Sequence, residues 1–257
     1  LKKAYAKGKE AYQKVMAKPG FEGWTPEGTA GITNWTNEVG VFPTRNFQTS
    51  YAEHYRDING KAILERLKIT DKGCYLCPTP CGKYGHAKTP LGQAYVEGPE
   101  FETIALFGGN CVLNTIEDVA YANWVCDELG IDTISAGVVA GWAIECYERG
   151  ILTAEQIGRK VQFSDLKSVV YLLEKIALRD GIGDLLAEGV DHQQDADDLE
   201  IDVAVTGHGG HRGRGGHRPV RQSTVAGPRK RCGTFRSAEQ NAVLDTGTAG
   251  CRLPQYQ

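Results

Sequence analysis

A mainly α fold is what this sequence predicts, on three observations. Apolar residues recur at helical spacing through most of the stretch from 114 to 190, and good capping residues stand ahead of those runs. Gly130 and Gly150 stand at the ends of two of those runs. Composition allows a packed core: of 257 residues, 41% are hydrophobic and 24% charged, enough for one large core or two small ones. We therefore expect a helical domain over residues 1–190 and an atypical C-terminal segment over 191–257, either disordered, non-native or the start of a further domain.

Taken in order, residues 1–18 set Tyr5, Tyr12, Val15 and Met16 among alanines and lysines, a surface helix stopped by Pro19-Gly20. From Phe21 to Gln48 glycine, proline, threonine and asparagine are frequent, which predicts a loop region with little regular structure. Ser50 to Lys68 reads as a helix. His86 and Lys88 then lie in a polar stretch and read as solvated loop residues. Asn114, with Glu117 three residues on, is expected to cap a helix carrying Ile116, Val119, Ala120 and Trp124 that ends at Gly130. A further helix is expected from Ile134 to Glu148, where small side chains permit close backbone packing. Thr153 and Ser164 are expected to cap two more, the second carrying Leu166, Val169, Val170, Leu173 and Ile176.

The character changes beyond Val190. Residues 191–202 hold six acids, and residues 206–236 hold seven arginines, one lysine and no acid among many glycines. So few large apolar side chains do not build a core. A basic RNA-binding tail is one reading, and a frame error or non-native junction is the favoured one.

Between the expected helices stands Cys74-Tyr75-Leu76-Cys77-Pro78-Thr79-Pro80-Cys81. Pro78 and Pro80 keep this loop out of helix, so three thiols can converge on one soft metal centre. A disulfide framework would leave one thiol over. Zinc usually takes two short ligand pairs, yet no second CxxC occurs, and the histidine cluster His208, His211 and His217 falls in the atypical segment. An iron-sulfur cluster is the favoured reading, with zinc or plain packing as alternatives. Cys111, Cys126 and Cys146 sit in or beside apolar stretches, where buried inert thiols are expected.

The net charge of −3 gives no basic field, so the balance does not indicate general nucleic-acid binding. No apolar run approaches the ~20 residues that span a bilayer. A reducing, cytoplasmic setting is expected, without membrane attachment, and the start at Leu1 suggests a fragment of a longer product.

Pro43-Thr44-Arg45-Asn46-Phe47, the cysteine loop, Gly98-Pro99-Glu100-Phe101-Glu102-Thr103, Asp127-Glu128-Leu129-Gly130-Ile131-Asp132 and the stretch from Gly181 to Val190 form an ordered set. Over roughly residues 28–190 it resembles the tungsten-dependent aldehyde ferredoxin oxidoreductases. The resemblance implies an enzyme that oxidises an aldehyde to a carboxylic acid at a tungsten or molybdenum ion held by two pterin dithiolenes, passing electrons through a 4Fe-4S cluster to ferredoxin or another carrier. It implies Cys74, Cys77 and Cys81 as cluster ligands, Arg45, Asp127, Ile131 and Asp132 as cofactor contacts, and Glu102 as the active-site carboxylate that takes a proton. Phe101 stands where a tyrosine is expected. The family's fourth cysteine belongs to a later DxxGxC motif that Asp245 and Cys251 do not reproduce, so the fourth ligand is expected outside this chain. With the family's N-terminal pterin-binding domain missing, the chain alone is expected to be inactive. An iron-sulfur electron-transfer module without pterin, and a zinc-stabilised interaction domain, are the alternatives.

Overall fold

The computed structural model describes residues 2–19, 24–75, 77 and 79–189. Expectations placed on residues 191–257, including the histidine cluster and the Asp245 and Cys251 pair, lie outside the described residues.

Helix α1 (Lys2–Met16) carries no buried residue, as its lysine-rich composition requires. α2 (Trp24–Glu27), a 3₁₀ turn (Gly28–Ile32) and α3 (Thr33–Glu38) follow, where a loop region with little regular structure was expected. Local bonding explains the difference. Thr36 Oγ1 donates back to the carbonyls of Ile32 and Thr33, both at 3.1 Å, and Asn37 Oδ1 accepts the Ala52 amide at 2.8 Å. Side chains that often break helices here satisfy backbone groups instead.

The single helix expected over 50–68 is also replaced. A 3₁₀ turn (Tyr55–Asp57) precedes α4 (Gly60–Ala62), which runs into a π-helical turn (Ile63–Leu67) and then strand β1 (Lys68–Lys72). Asn59 starts this helix late, its Oδ1 accepting the Ala62 amide at 3.0 Å. Beyond Leu67 the chain extends to pair with β2 (Gly82–Thr89), which pairs in turn with β3 (Gly92–Glu97). The sheet is antiparallel, in the order β1-β2-β3, with register running from Tyr84 opposite Glu97 to Thr89 opposite Gly92. His86 is thus a strand residue rather than a loop residue. Its ring stacks on Tyr95 across the sheet at 4.4 Å, and Nε2 meets Gln93 Oε1 at 3.0 Å.

One face of the sheet packs on α6 (Ile116–Leu129). Thr115, not Asn114, caps this helix, its Oγ1 accepting the Asp118 amide at 3.3 Å. Gly130 ends it as expected at φ +69°, and the Ile131 amide folds back to the Cys126 carbonyl at 3.0 Å. Ahead of α6, the short α5 (Phe101–Thr103) leads into a π-helical turn (Ile104–Asn110) in which every residue is buried. α7 (Thr133–Glu148) lies on that turn through its small residues. A Cβ at Gly137 would stand 2.7 Å from Leu106, and one at Gly141 would stand 2.3 Å from Asn110, so only glycine permits the approach.

α8 (Ala154–Ile157) has the expected Thr153 cap, completed by Gln156 reaching back to the Thr153 amide at 2.9 Å. α9 (Leu166–Leu178) is capped one residue later than expected. Asp165 takes the Lys167 and Ser168 amides, while Ser164 sits at φ +60°. α10 (Ile182–Leu186) packs on α9, which packs on α6 and α7. Among the described residues no single helix is long and apolar enough to cross a membrane.

Candidate functional site

The cysteine loop joins β1 to β2, so its two ends are fixed by a strand ladder. Within it the Cys77 amide donates to Cys74 O and the Cys81 amide to Thr79 O, both at 2.9 Å. Cys74 and Cys77 are exposed and Cys81 is half-buried. Among the described residues no three cysteine, histidine or acidic side chains are gathered closely enough to hold one metal ion. A site for a single zinc needs that gathering, whereas the thiolates of a cluster bind separate irons and stand farther apart. The loop thus carries three soft donors between two paired strands.

The other three described cysteines are of a different kind. Cys111, Cys126 and Cys146 are buried as expected, and Cys111 Sγ donates to Gly137 O at 3.3 Å. Burial pushes the Cys126 and Cys146 thiols up to about 12, and that of Cys111 higher still. They stay protonated at neutral pH and offer no thiolate.

A turn far away in sequence links the cysteine loop to the next motif. Gly28, at φ +61°, lies so close to the loop that a Cβ on it would stand 2.5 Å from Cys81 O. Its neighbour Thr29 accepts the Phe101 amide at 2.9 Å and donates to the Glu100 carboxylate. Gly28 and Thr29 thus touch the last cysteine on one side and the Gly98–Thr103 segment on the other. Gly28→Ala is expected to lower the stability of the complete protein by ~1–3 kcal/mol, from the left-handed backbone it must adopt. An unchanged urea midpoint would show that the turn can move aside.

The Gly98–Thr103 segment is in turn joined to the Asp127–Asp132 stretch. Gly98 approaches Asn123 on α6, where an added Cβ would lie 3.2 Å from Oδ1, and Asn123 Nδ2 donates to Asp127 Oδ2 at 2.9 Å. Thr103 and Thr133 share a hydroxyl hydrogen bond of 2.9 Å. The two motifs are therefore brought side by side. Glu102 is exposed there, and no described residue bonds its carboxylate. Asp127 is exposed, yet desolvation by the neighbouring chain raises its carboxyl from the ordinary value, against the opposing Asn123 hydrogen bond. Asp132 is partly committed, because it caps α7 by accepting the Ser135 amide at 2.7 Å, and that bond lowers its pKa. Ile131 packs its side chain on the core, which leaves only its backbone for a polar partner. Phe101 tilts against Phe42 with ring centroids 6.3 Å apart, so an apolar contact occupies the place where a hydroxyl was expected.

Arg45 is placed elsewhere. Its guanidinium pairs with Glu148 at 2.8 Å and lies over the Phe163 ring at 4.6 Å. Glu148 is the last residue of α7 and Asp132 is its N-cap, so the 16-residue helix separates the two ends by roughly 24 Å. The structure brings Glu102, Asp127, Ile131 and Asp132 into one neighbourhood and leaves Arg45 at the far end of the same helix.

The aldehyde ferredoxin oxidoreductase model, described as domains 2 and 3, matches residues 6–210. The chain belongs to this family. The tungsten-containing aldehyde ferredoxin oxidoreductase of Thermococcus kodakarensis is 40% identical over 184 residues, and that of Pyrococcus abyssi 38% over 186; each alignment covers 70% of this chain and 30% of the relative. An aliphatic sulfonate oxidoreductase WOR-like subunit of Pyrococcus furiosus is 32% identical over 184 residues, covering 70% of this chain and 29% of that protein. The chain spans less than a third of the length of these curated relatives. The family match also extends past both ends of the 28–190 span on which the motifs rest.

Within this chain, three residues that join the motifs escaped sequence reasoning: Thr29, Asn123 and Lys83. Each joins segments distant in sequence: Thr29 reaches Glu100, Asn123 meets Gly98 as well as the nearby Asp127, and Lys83 reaches Thr25. Only Lys83 left a trace, a charge standing two residues after the last cysteine.

Proposed function

We propose that this chain is the cluster-holding and pterin-contacting part, residues 1–190, of a cytoplasmic enzyme that oxidises aldehydes to carboxylic acids. The observation that carries the reading is the chain of contacts from Cys81 through Gly28 and Thr29 to Glu100, and from Gly98 through Asn123 to Asp127. It supports the reading by joining the cysteine loop, the segment that carries Glu102 and the Asp127 carboxylate in one connected framework. The names of the relatives favour tungsten over molybdenum and ferredoxin as the acceptor.

When bound, the tungsten bis-pterin group and the 4Fe-4S cluster supply the two-electron oxidation and the one-electron exit. Cys74, Cys77 and Cys81 hold the cluster as thiolates, with the fourth ligand supplied from outside the described residues. Asp127 accepts N–H groups of a pterin, a task for which a carboxylate with two acceptor oxygens suits. Asp132 offers the oxygen not spent on capping α7, and Ile131 its backbone carbonyl. Oxidation of an aldehyde adds a water oxygen and releases two protons with the two electrons, and Glu102 takes up one of those protons. Arg45 contributes by fastening the 44–49 loop to α7. The chain by itself is inactive on this reading, because it matches domains 2 and 3 of the family and about 30% of the length of its relatives.

Metal analysis of the complete protein, purified without air, tests the proposal. Iron, acid-labile sulfide and tungsten together are expected. Iron with sulfide but no tungsten or molybdenum would make the chain an electron-transfer module, and zinc alone would make it a zinc-stabilised interaction domain.

A further inference from the structure

Lysine is almost never fully buried unless it is paired, yet Lys83 on β2 is only 3% exposed. Its ammonium has three hydrogens and five oxygens around it. Nζ lies 2.8 Å from Thr25 O, 2.8 Å from Cys81 O, 3.2 Å from Pro80 O and 3.3 Å from Gly82 O. The fifth oxygen is Oδ1 of Asp71 on β1, at 3.3 Å. The backbone carbonyl of Lys83 also accepts the Gly98 amide at 2.8 Å.

Burying an ammonium is costly, and an apolar side chain of similar volume would often stabilise a fold as well or better. Something other than packing is gained. Three of the five oxygens belong to consecutive residues, 80 to 82, at the point where the cysteine loop enters β2. Thr25 belongs to the helix just ahead of the Gly28 turn, and Gly98 begins the segment that carries Glu102. One side chain with its own backbone thus fastens the last cysteine to both neighbouring motifs, and it leaves a fixed positive charge at the root of the loop.

We propose that Lys83 is the positioning residue of the cluster loop: it clamps the carbonyls of residues 80–82 so that Cys81 is presented in one orientation, and its charge, partly balanced by Asp71, favours the reduced cluster. This rests on the cluster reading given above. Adding an electron makes the cluster more negative, so a nearby cation stabilises the reduced form and a nearby carboxylate destabilises it. Removing either partner changes the local charge by one unit, in opposite directions.

The test uses the complete protein, purified without air, as wild type, Lys83→Met and Asp71→Asn. Iron and sulfide content, the rate of iron loss to a chelator, and the cluster midpoint potential by spectroscopic redox titration are measured. Lys83→Met is expected to lose iron at least ~10-fold faster and to lower the reduced-to-oxidised ratio at fixed potential by ~10-fold, which is about 59 mV for a one-electron couple. Asp71→Asn keeps the carbonyl clamp and is expected to move the potential upward instead. Loop disruption alone does not produce shifts of opposite sign. If Lys83→Met does not fold, Asp71→Asn decides: an upward shift supports the proposal and an unmoved potential overturns it. Wild type with a cluster and both variants at the wild-type potential overturns the role of Lys83 alone. Wild type without iron and sulfide overturns the proposed function and this inference together.

Discussion

Glu102→Gln, made in the complete protein, is expected to slow aldehyde oxidation by ~10²–10⁴-fold, the usual contribution of a positioned general base. Glutamine keeps the length of the side chain and most of its hydrogen-bonding reach but takes no proton. The surroundings make the substitution a clean one. No described residue bonds the carboxylate, and the neighbouring Thr103–Thr133 hydrogen bond that holds its segment to α7 does not involve it. Tungsten and iron contents should therefore stay at wild-type values while turnover collapses. Undiminished turnover would make Glu102 an ordinary surface carboxylate and remove the proton acceptor from the proposal.

The other large effect is expected at Cys77, the middle thiol of the loop. Cys77→Ser exchanges a soft thiolate donor for a hydroxyl that stays protonated at neutral pH, so most of the iron and the broad visible absorbance should be lost. The fold should survive, because Cys77 is exposed and contributes nothing to the core. Anaerobic purification followed by iron analysis and absorbance reads the result. Iron and colour equal to wild type would exclude Cys77 as a ligand and, with it, the reading of this loop as a cluster site.

Sequence reasoning found the helices whose information is local. The caps at Thr153 and Gly130 and the small-residue face of α7 were legible because a capping box, a left-handed glycine and a run of small side chains each lie within a few consecutive residues. The sheet was not legible, for a physical reason. On β2 the inward positions are Lys83, Gly85 and Ala87, a buried charge and two side chains too small to register as an apolar alternation. β1 begins directly after Leu67, and the helix expected over 50–68 ran onto its first residue. The site divides the same way. The spacing of Cys74, Cys77 and Cys81 is local chemistry, whereas the separation of Arg45 from Asp132 is a matter of which end of α7 each occupies. The contacts that make one site from several motifs run through Thr29, Asn123 and Lys83, and nothing in a single sequence pairs them with Glu100, Gly98 and Thr25.

The split between three core thiols and three loop thiols has a consequence for how the protein is made and mended. The fold closes over Cys111, Cys126 and Cys146, and the raised pKa values of those thiols withhold them from metals, oxidants and disulfide exchange alike. On the proposed reading, the folded domain therefore presents incoming iron and sulfide with a single address among its described cysteines. A cluster destroyed by oxygen would leave its damage on a surface loop, with the core intact, and could be rebuilt there without refolding the chain.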